Sequence, residues 1–226
     1  MKRIFILFFI LSSFIDCYSQ TLKDEYYGCA IEEIDKHNYP GAIEYFTRVI
    51  KMNPKDSTAY FDRALTKYEM KDFVGAVEDF NQSIIIDSTE VDNYFLKGLA
   101  EVELKDYKAA IIDLNKTLKM EEGNADAHFY RGLVNDNLKN YNKAITDYSR
   151  AIELHSDHSA EAYGKRGFMK YKTLDYNGAM EDYNKTIELN PTNKDCYLHR
   201  GELKIKLGQK DSGSLDLNKY KELSRK

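Results

Sequence analysis

The sequence has no tryptophan, only three prolines and twelve glycines in 226 residues, and no excess of one charge. So few prolines leave room for long helices, because proline in a helix interior removes a backbone donor and clashes with the preceding turn. The 33 basic and 37 acidic residues are interspersed and give a net charge of −4. Without a basic stripe to gather phosphate contacts, nucleic acid is not an expected partner. No glycine-rich loop of the kind that cradles phosphate is present, and no nucleophile or acid–base constellation recurs, so neither an enzyme nor a cofactor is expected. What the chain does hold is 42% apolar and 31% charged residues, enough for one substantial folded domain, and eighteen tyrosines.

The one long apolar run lies at the N-terminus. Lys2 and Arg3 precede Ile4–Leu11, continued by Phe14 and Ile15. This is the charged-then-apolar order of a secretory signal, and it is short for a membrane span. Residues 1–19 are read as that signal, with cleavage before Gln20, and an exported protein, periplasmic or secreted, is expected. Cys17 leaves a second possibility, lipidation at an envelope anchor, although Asp16 beside the cleaved bond suits it poorly. Retention of the segment from Met1 would also tether the domain to a membrane.

The tyrosines recur at a fixed interval. Ala30, Ala64, Gly98, Gly132, Gly167 and Gly201 are spaced by 34, 34, 34, 35 and 34 residues. Four residues before each stands Tyr26, Tyr60, Tyr94, His128, Tyr163 or Tyr197. Nine residues after it comes Tyr39, Phe73, Tyr107, Tyr141 or Tyr176, with Lys210 in the sixth copy. Ala42, Ala76, Ala110, Ala144, Ala179 and Gly213 keep the same register, as do Phe46, Phe80, Leu114, Tyr148, Tyr183 and Leu217. A small residue lets two helix backbones approach closely while aromatics at three- and four-residue spacing fill the space around the contact. Each unit therefore reads as a helical hairpin. Asn38, Asp72, Asp106, Asn140 and Asp175 stand where they can cap its second helix.

This register resembles the tetratricopeptide repeat, with tyrosine in place of the leading tryptophan and the closing proline kept only at Pro54 and Pro191. The resemblance implies an all-α, right-handed solenoid of six helix-turn-helix repeats over residues 20–226. Their expected bounds are 23–56, 57–90, 91–124, 125–159, 160–193 and a degenerate, lysine-rich capping repeat, 194–226. One hairpin cannot bury both of its faces, so stability is shared between neighbours. Cys29 and Cys196 fall in the first and sixth repeats, too many helix layers apart for an intrachain disulfide.

A basic residue directly precedes the small one in five copies: Arg63, Lys97, Arg131, Arg166 and Arg200, against Cys29 in the first. The second helix carries Asp79, Asp113, Asp147, Asp182 and Asp216 in register, against Tyr45 in the first. A partly buried charge needs a partner, and five structural ion pairs are expected: Arg63–Asp79, Lys97–Asp113, Arg131–Asp147, Arg166–Asp182 and Arg200–Asp216. The other reading is that these residues repeat by descent and face solvent.

In proteins of the resembled family the first helices line a concave groove that holds a peptide or partner element. The resemblance places Tyr27, Phe61, Leu65, Tyr68, Phe95, Leu99, Phe129, Leu133, Phe168 and Tyr171 there, an aromatic surface for a protein or peptide; the other reading packs them between helices. Gly164 and Leu198 hold the same register in the fifth and sixth copies. Asp35, Glu69 and Glu103 at one edge give way to Asn137, Lys172 and Lys206, a gradient that could orient a peptide. Family members that clamp a C-terminal carboxylate use Lys, Asn and Arg on these helices; Phe, Leu and acidic residues stand here instead. The segment "HSDHS" brings His155, Asp157 and His158 together and is the one metal-like or enzyme-like cluster. It also holds the one-residue insertion, which a loop absorbs. No metal site is expected. The chain is read as a non-enzymatic interaction scaffold, with an envelope-anchored structural subunit as the alternative and a metal or enzyme site at His155 and His158 as a minor one. The oligomeric state is not legible.

Overall fold

The computed structural model describes residues 20–225. Residues 1–19, with the expected signal segment, Cys17 and the bond before Gln20, lie outside them. The described residues form twelve helices and no strand. They are α1 (20–35), α2 (Tyr39–Met52), α3 (Ser57–Glu69), α4 (Phe73–Ile86), α5 (Val91–Glu103), α6 (Tyr107–Met120), α7 (Ala125–Asn137), α8 (Tyr141–Glu153), α9 (Ser159–Lys172), α10 (Tyr176–Leu189), α11 (Lys194–Lys206) and α12 (Lys210–Leu223). The chain divides into two compact units, the first ending at Asp106 and the second beginning at Tyr107.

Each connection between the two helices of a repeat reverses through one left-handed residue. His37, Lys71, Lys105, Lys139 and Leu174 adopt φ of 57–69°, and Gly208 adopts 86°. Only the last is a glycine, so five of these turns carry a side chain where one is disfavoured. The next residue starts the second helix. Asp72 and Asp175 accept the amides of Gly75 and Gly178 at 3.0 and 2.9 Å, and Asn38 accepts that of Gly41 at 3.4 Å. Asn140, expected to act in the same way, makes no such bond. The first helices have caps of their own, in Asp56, Asn124 and Asn193.

In unit 1, α3 packs on both α2 and α4, and α5 packs on α4. Ala30, Ala42 and Phe46 form one buried cluster and Ala64, Ala76 and Phe80 the equivalent one in the next repeat. In unit 2 glycines stand at hairpin contacts. A Cβ on Gly132 would lie 2.8 Å from the Tyr148 ring, and one on Gly213 would lie 2.8 Å from the Gly201 carbonyl. An added Cβ at Gly132 or Gly213 would therefore force its neighbours to shift, whereas Ala30 and Ala64 are accommodated at the hairpin contacts of unit 1.

The arginines lock this arrangement. Arg63 Nε and Nη2 donate to the two carboxylate oxygens of Asp79 at 2.7 and 2.6 Å, while Nη1 donates to Thr47 Oγ1 on α2 at 3.0 Å. In unit 2, Arg131 engages Asp147 and Asn115, Arg166 engages Asp182 and Ser149, and Arg200 engages Asp216 and Asn184. Each guanidinium thus joins its own first helix to its own second helix and to the second helix of the preceding repeat. The signature tyrosine lies against three of them, with Tyr60, Tyr163 and Tyr197 centroids 5.2–5.6 Å from the guanidinium carbon. His128, in the place of that tyrosine, puts Nδ1 3.6 Å from Asp147 instead.

One turn after the arginine, Lys67, Lys170 and Lys204 reach the same aspartates at 2.8–2.9 Å, and Asn135 does so at 2.9 Å. With a fork and a further donor the buried carboxylate is fully solvated by protein, which is the condition for burying it at acceptable cost. Of the expected pair Lys97–Asp113, Lys97 belongs to unit 1 and Asp113 to unit 2. Within unit 1, Lys97 approaches Glu101 at 3.8 Å. In the first repeat, which has neither base nor acid, Arg48 of α2 lies over the rings of Tyr26 and Tyr45.

Candidate functional site

The architectural side chains account for one face of each first helix, and the remaining face is the candidate site. In unit 1 this face carries Tyr27, Phe61, Leu65, Tyr68, Phe95 and Leu99, all half-buried. Tyr27 meets Phe46 edge-on, Phe61 meets Phe80 and Tyr68 meets Phe73, with centroids 5.3–5.8 Å apart. Each ring is therefore packed in part on the hairpin core and exposed in part. Ile31, one turn beyond Tyr27, is 51% exposed. In unit 2, Leu133, Phe168 and Tyr171 are half-buried as well.

Phe129 departs from the series, being only 3% exposed. The imidazole of His158 stacks on it at 4.5 Å and 14°, and the Tyr148 ring lies 5.8 Å from it. The inserted loop places the lid. α8 is closed by its C-cap Leu154, His155 turns left-handed at φ 57°, and the buried Ser156 donates to Asp126 at 2.6 Å, which fixes the loop against α7. His155 is exposed and His158 is committed to Phe129, so the two imidazoles occupy different settings. Among the described residues no group of three His, Cys, Asp or Glu side chains is arranged to hold a metal.

Within unit 1 the rings of Tyr27, Phe61 and Tyr68 are not fully exposed, because α2 and α4 take part of each. Several largely exposed aliphatic side chains stand on second helices, including Ile85 on α4, Ile112 on α6 and Leu215 on α12. Two clefts open beside the first-helix residues of the aromatic series. In unit 2 a cleft of about 430 Å³ lies between α9 and α11 and reaches Asp136 of α7. It falls where Gly164 interrupts the aromatic series, and a Cβ on Gly164 would meet Cys196 Sγ at 2.9 Å. Phe168 and His199, 4.8 Å apart, form one wall, with Glu161, Lys165 and Asp195 around it. Burial raises the carboxyl of Asp136, opposed by Lys165 and Lys172, and pushes the Cys196 thiol up to about 11. Both cysteines of the described residues are free thiols.

The later edge residues are engaged by aromatics. Lys172 lies 4.8 Å from the Phe168 centroid, and Lys206 lies 5.0 and 4.7 Å from those of Tyr171 and Tyr176. In unit 1, Asp62 of α3 is buried enough, and near enough to Asp56, to have its carboxyl raised to about 6.

A second cleft, of about 190 Å³, lies in unit 1 among α3, α4 and α5 and includes Asn93. Periodicity directed attention to residues that repeat and away from this one. The signal was a departure: the Asn93 register holds Ala59, Ala127 and Ala162, each fully buried.

Helical hairpins repeating every 34 residues around small-residue contacts define a helical repeat protein. Models of the Tetratricopeptide repeat match residues 28–90, 91–124 and 125–158, together more than half of the chain, and the chain belongs to the tetratricopeptide-repeat family. A comparison with curated proteins gives no match. Among solved structures the chain is similar to MamA, at 23% identity and a TM-score of 0.68 over 70% of this chain and 92% of that one. It is similar to YrrB, described as a repeat protein of this family with an unusual peptide-binding site, at 22% identity and a TM-score of 0.70 over 80% and 93%. A tetratricopeptide repeat protein from Parabacteroides merdae gives 18% identity and a TM-score of 0.73 over 87% and 78%. At these identities the likeness is one of fold.

Proposed function

We propose that this protein is a non-enzymatic scaffold that holds a partner peptide or protein element against the first-helix faces of its repeats. The observation that carries this reading is the cleft at Gly164. There an apolar and aromatic wall, Phe168 with His199, is ringed by charges of both signs in Glu161, Lys165, Asp195 and Asp136. A concave, partly apolar site with a few polar groups to set orientation is the usual form of a binding site. Within unit 1, the half-buried Phe61, Leu65, Phe95 and Leu99 offer apolar surface of the same kind. MamA and YrrB add a precedent of fold, and YrrB one of peptide binding.

Photo-crosslinking in cells tests it. A benzoylphenylalanine at Phe95 or Phe168 is expected to capture a discrete partner, while the same group at Ile85 or Ile112, exposed on second helices, is not. Capture from the second-helix positions alone overturns the reading. Phe129 is a poor probe position because His158 covers it.

Export is part of the proposal, and rests on Lys2, Arg3 and the apolar run from Ile4 to Leu11. The intact mass and N-terminal sequence of the native protein distinguish a chain starting at Gln20 from one lipidated at Cys17 or one retaining Met1. The last two outcomes would make the scaffold an anchored subunit of an envelope assembly.

A further inference from the structure

The unit 1 cleft holds a polar group that the architecture does not use. Asn93, in the first turn of α5, is 2% exposed and lines the cleft, and its Oδ1 is buried without a hydrogen-bond partner. A buried acceptor left unmade is costly. Three of the five other repeats place a fully buried alanine in this register, so packing alone does not call for an amide.

The remaining walls are acidic. Asp87, Glu90 and Asp92 line the cleft with Thr58 and the half-buried ring of Phe61, and no lysine or arginine is among its lining residues. The amide and hydroxyl of Thr89 hold the Asp87 carboxyl below its ordinary range, so it is ionised at neutral pH. Glu90 stands at the N-cap of α5 without making a side-chain cap bond, which leaves its carboxylate uncommitted to the helix end. Ser83 is already committed, donating to the Ser57 carbonyl at 2.9 Å. The cleft therefore presents acceptors with negative charge beside one aromatic ring.

From this we infer that the cleft receives the guanidinium of an arginine side chain carried by the partner. Among side chains only arginine combines a fixed positive charge, several donors in a planar fork and a face that lies well on an aromatic ring. One edge of the fork would donate to Asn93 Oδ1 and another to the carboxylates, with its flat face toward Phe61. A space of about 190 Å³ accommodates such a head with part of its stem. The inference deepens the scaffold reading by naming a side chain that the partner must offer.

Amide and side-chain NMR of the full chain, titrated with N-acetyl-argininamide, reads the cleft without any partner present. Its result is therefore separable from the crosslinking at Phe95 and Phe168. Saturable shifts at Thr58, Asp92 and the Asn93 side chain are expected, weakened as salt is raised. Asn93→Ala restores the residue of the neighbouring repeats and is expected to fold with an unreduced thermal midpoint while binding at least tenfold more weakly. Glu90→Gln, at a helix end, supplies a second variant and is expected to weaken binding about threefold. The neutral isostere N-acetyl-citrullinamide is expected to give no saturable response, and N-acetyl-lysinamide a weaker one. The proposal is overturned by no saturable shift in the parent, by an equal response to either control, or by undiminished binding in both variants.

Discussion

Asp79 receives Arg63 through two parallel hydrogen bonds of 2.7 and 2.6 Å and Lys67 at 2.8 Å, inside a hairpin where its own side chain is 5% exposed. Removing the arginine leaves a nearly buried carboxylate with one base. Arg63→Ala is expected to cost about 3 kcal/mol in urea unfolding, toward the lower end of what breaking a buried pair costs because Lys67 remains. Asp79→Ala added to it is expected to cost much less than the sum of the two single changes. Strict additivity in that double-mutant cycle would mean the two residues act independently.

Asp62 gives the fold a measurable pH dependence. Burial, with Asp56 nearby, raises its carboxyl from 3.8 to about 6. Between those values the native state binds more protons than the unfolded chain, so this group's contribution to stability falls as pH rises through the window. Asp62→Asn is expected to stabilise the protein near pH 7 by about 1 kcal/mol after allowing for solvent screening, and to make no such gain near pH 4. A variant-minus-parent difference that stays constant from pH 4 to 7 would contradict this.

Leu174 is 70% exposed and adopts φ 69° at the turn between α9 and α10. It packs little and occupies a conformation that L-residues disfavour. Leu174→Gly is expected to raise stability by about 0.5–1 kcal/mol, since relief of the left-handed strain of about 1–2 kcal/mol exceeds the entropy that glycine adds to the unfolded chain. Thermal unfolding decides the sign.

Tyr148 is fully buried, and its hydroxyl has no partner. Phenylalanine already stands in this register at Phe46 and Phe80. Tyr148→Phe is expected to be neutral or stabilising by up to about 1 kcal/mol, because it removes an unsatisfied buried donor at nearly constant shape. A loss above that size would reveal a role for the hydroxyl. Gly132→Ala, by contrast, forces a Cβ to 2.8 Å from the same ring and is expected to cost about 1–3 kcal/mol.

Much of this was legible because a repeat prints each structural demand several times. Ala64, Phe80, Arg63 and Asp79 recur in register, so their roles could be inferred from spacing without knowing any contact. The third member of each rung was not legible. Thr47, Asn115, Ser149 and Asn184 lie 16 or 17 residues before their arginines, and they differ in chemistry because any small acceptor serves. Nor could spacing show that His158 covers Phe129, since that contact arises from the one repeat whose closing loop is longer.

The sequence by itself determined the helical hairpins, their period, the small-residue contacts and the pairing of opposite charges, all of which follow from local periodicity and from the cost of an unpaired buried charge. Only the tertiary structure decided which first-helix rings keep a solvent edge, where Gly164 opens a cleft, and that Asn93 lies buried with an unmet acceptor. Those features depend on how neighbouring helices divide each side chain's surface between them, and no single register position carries that information.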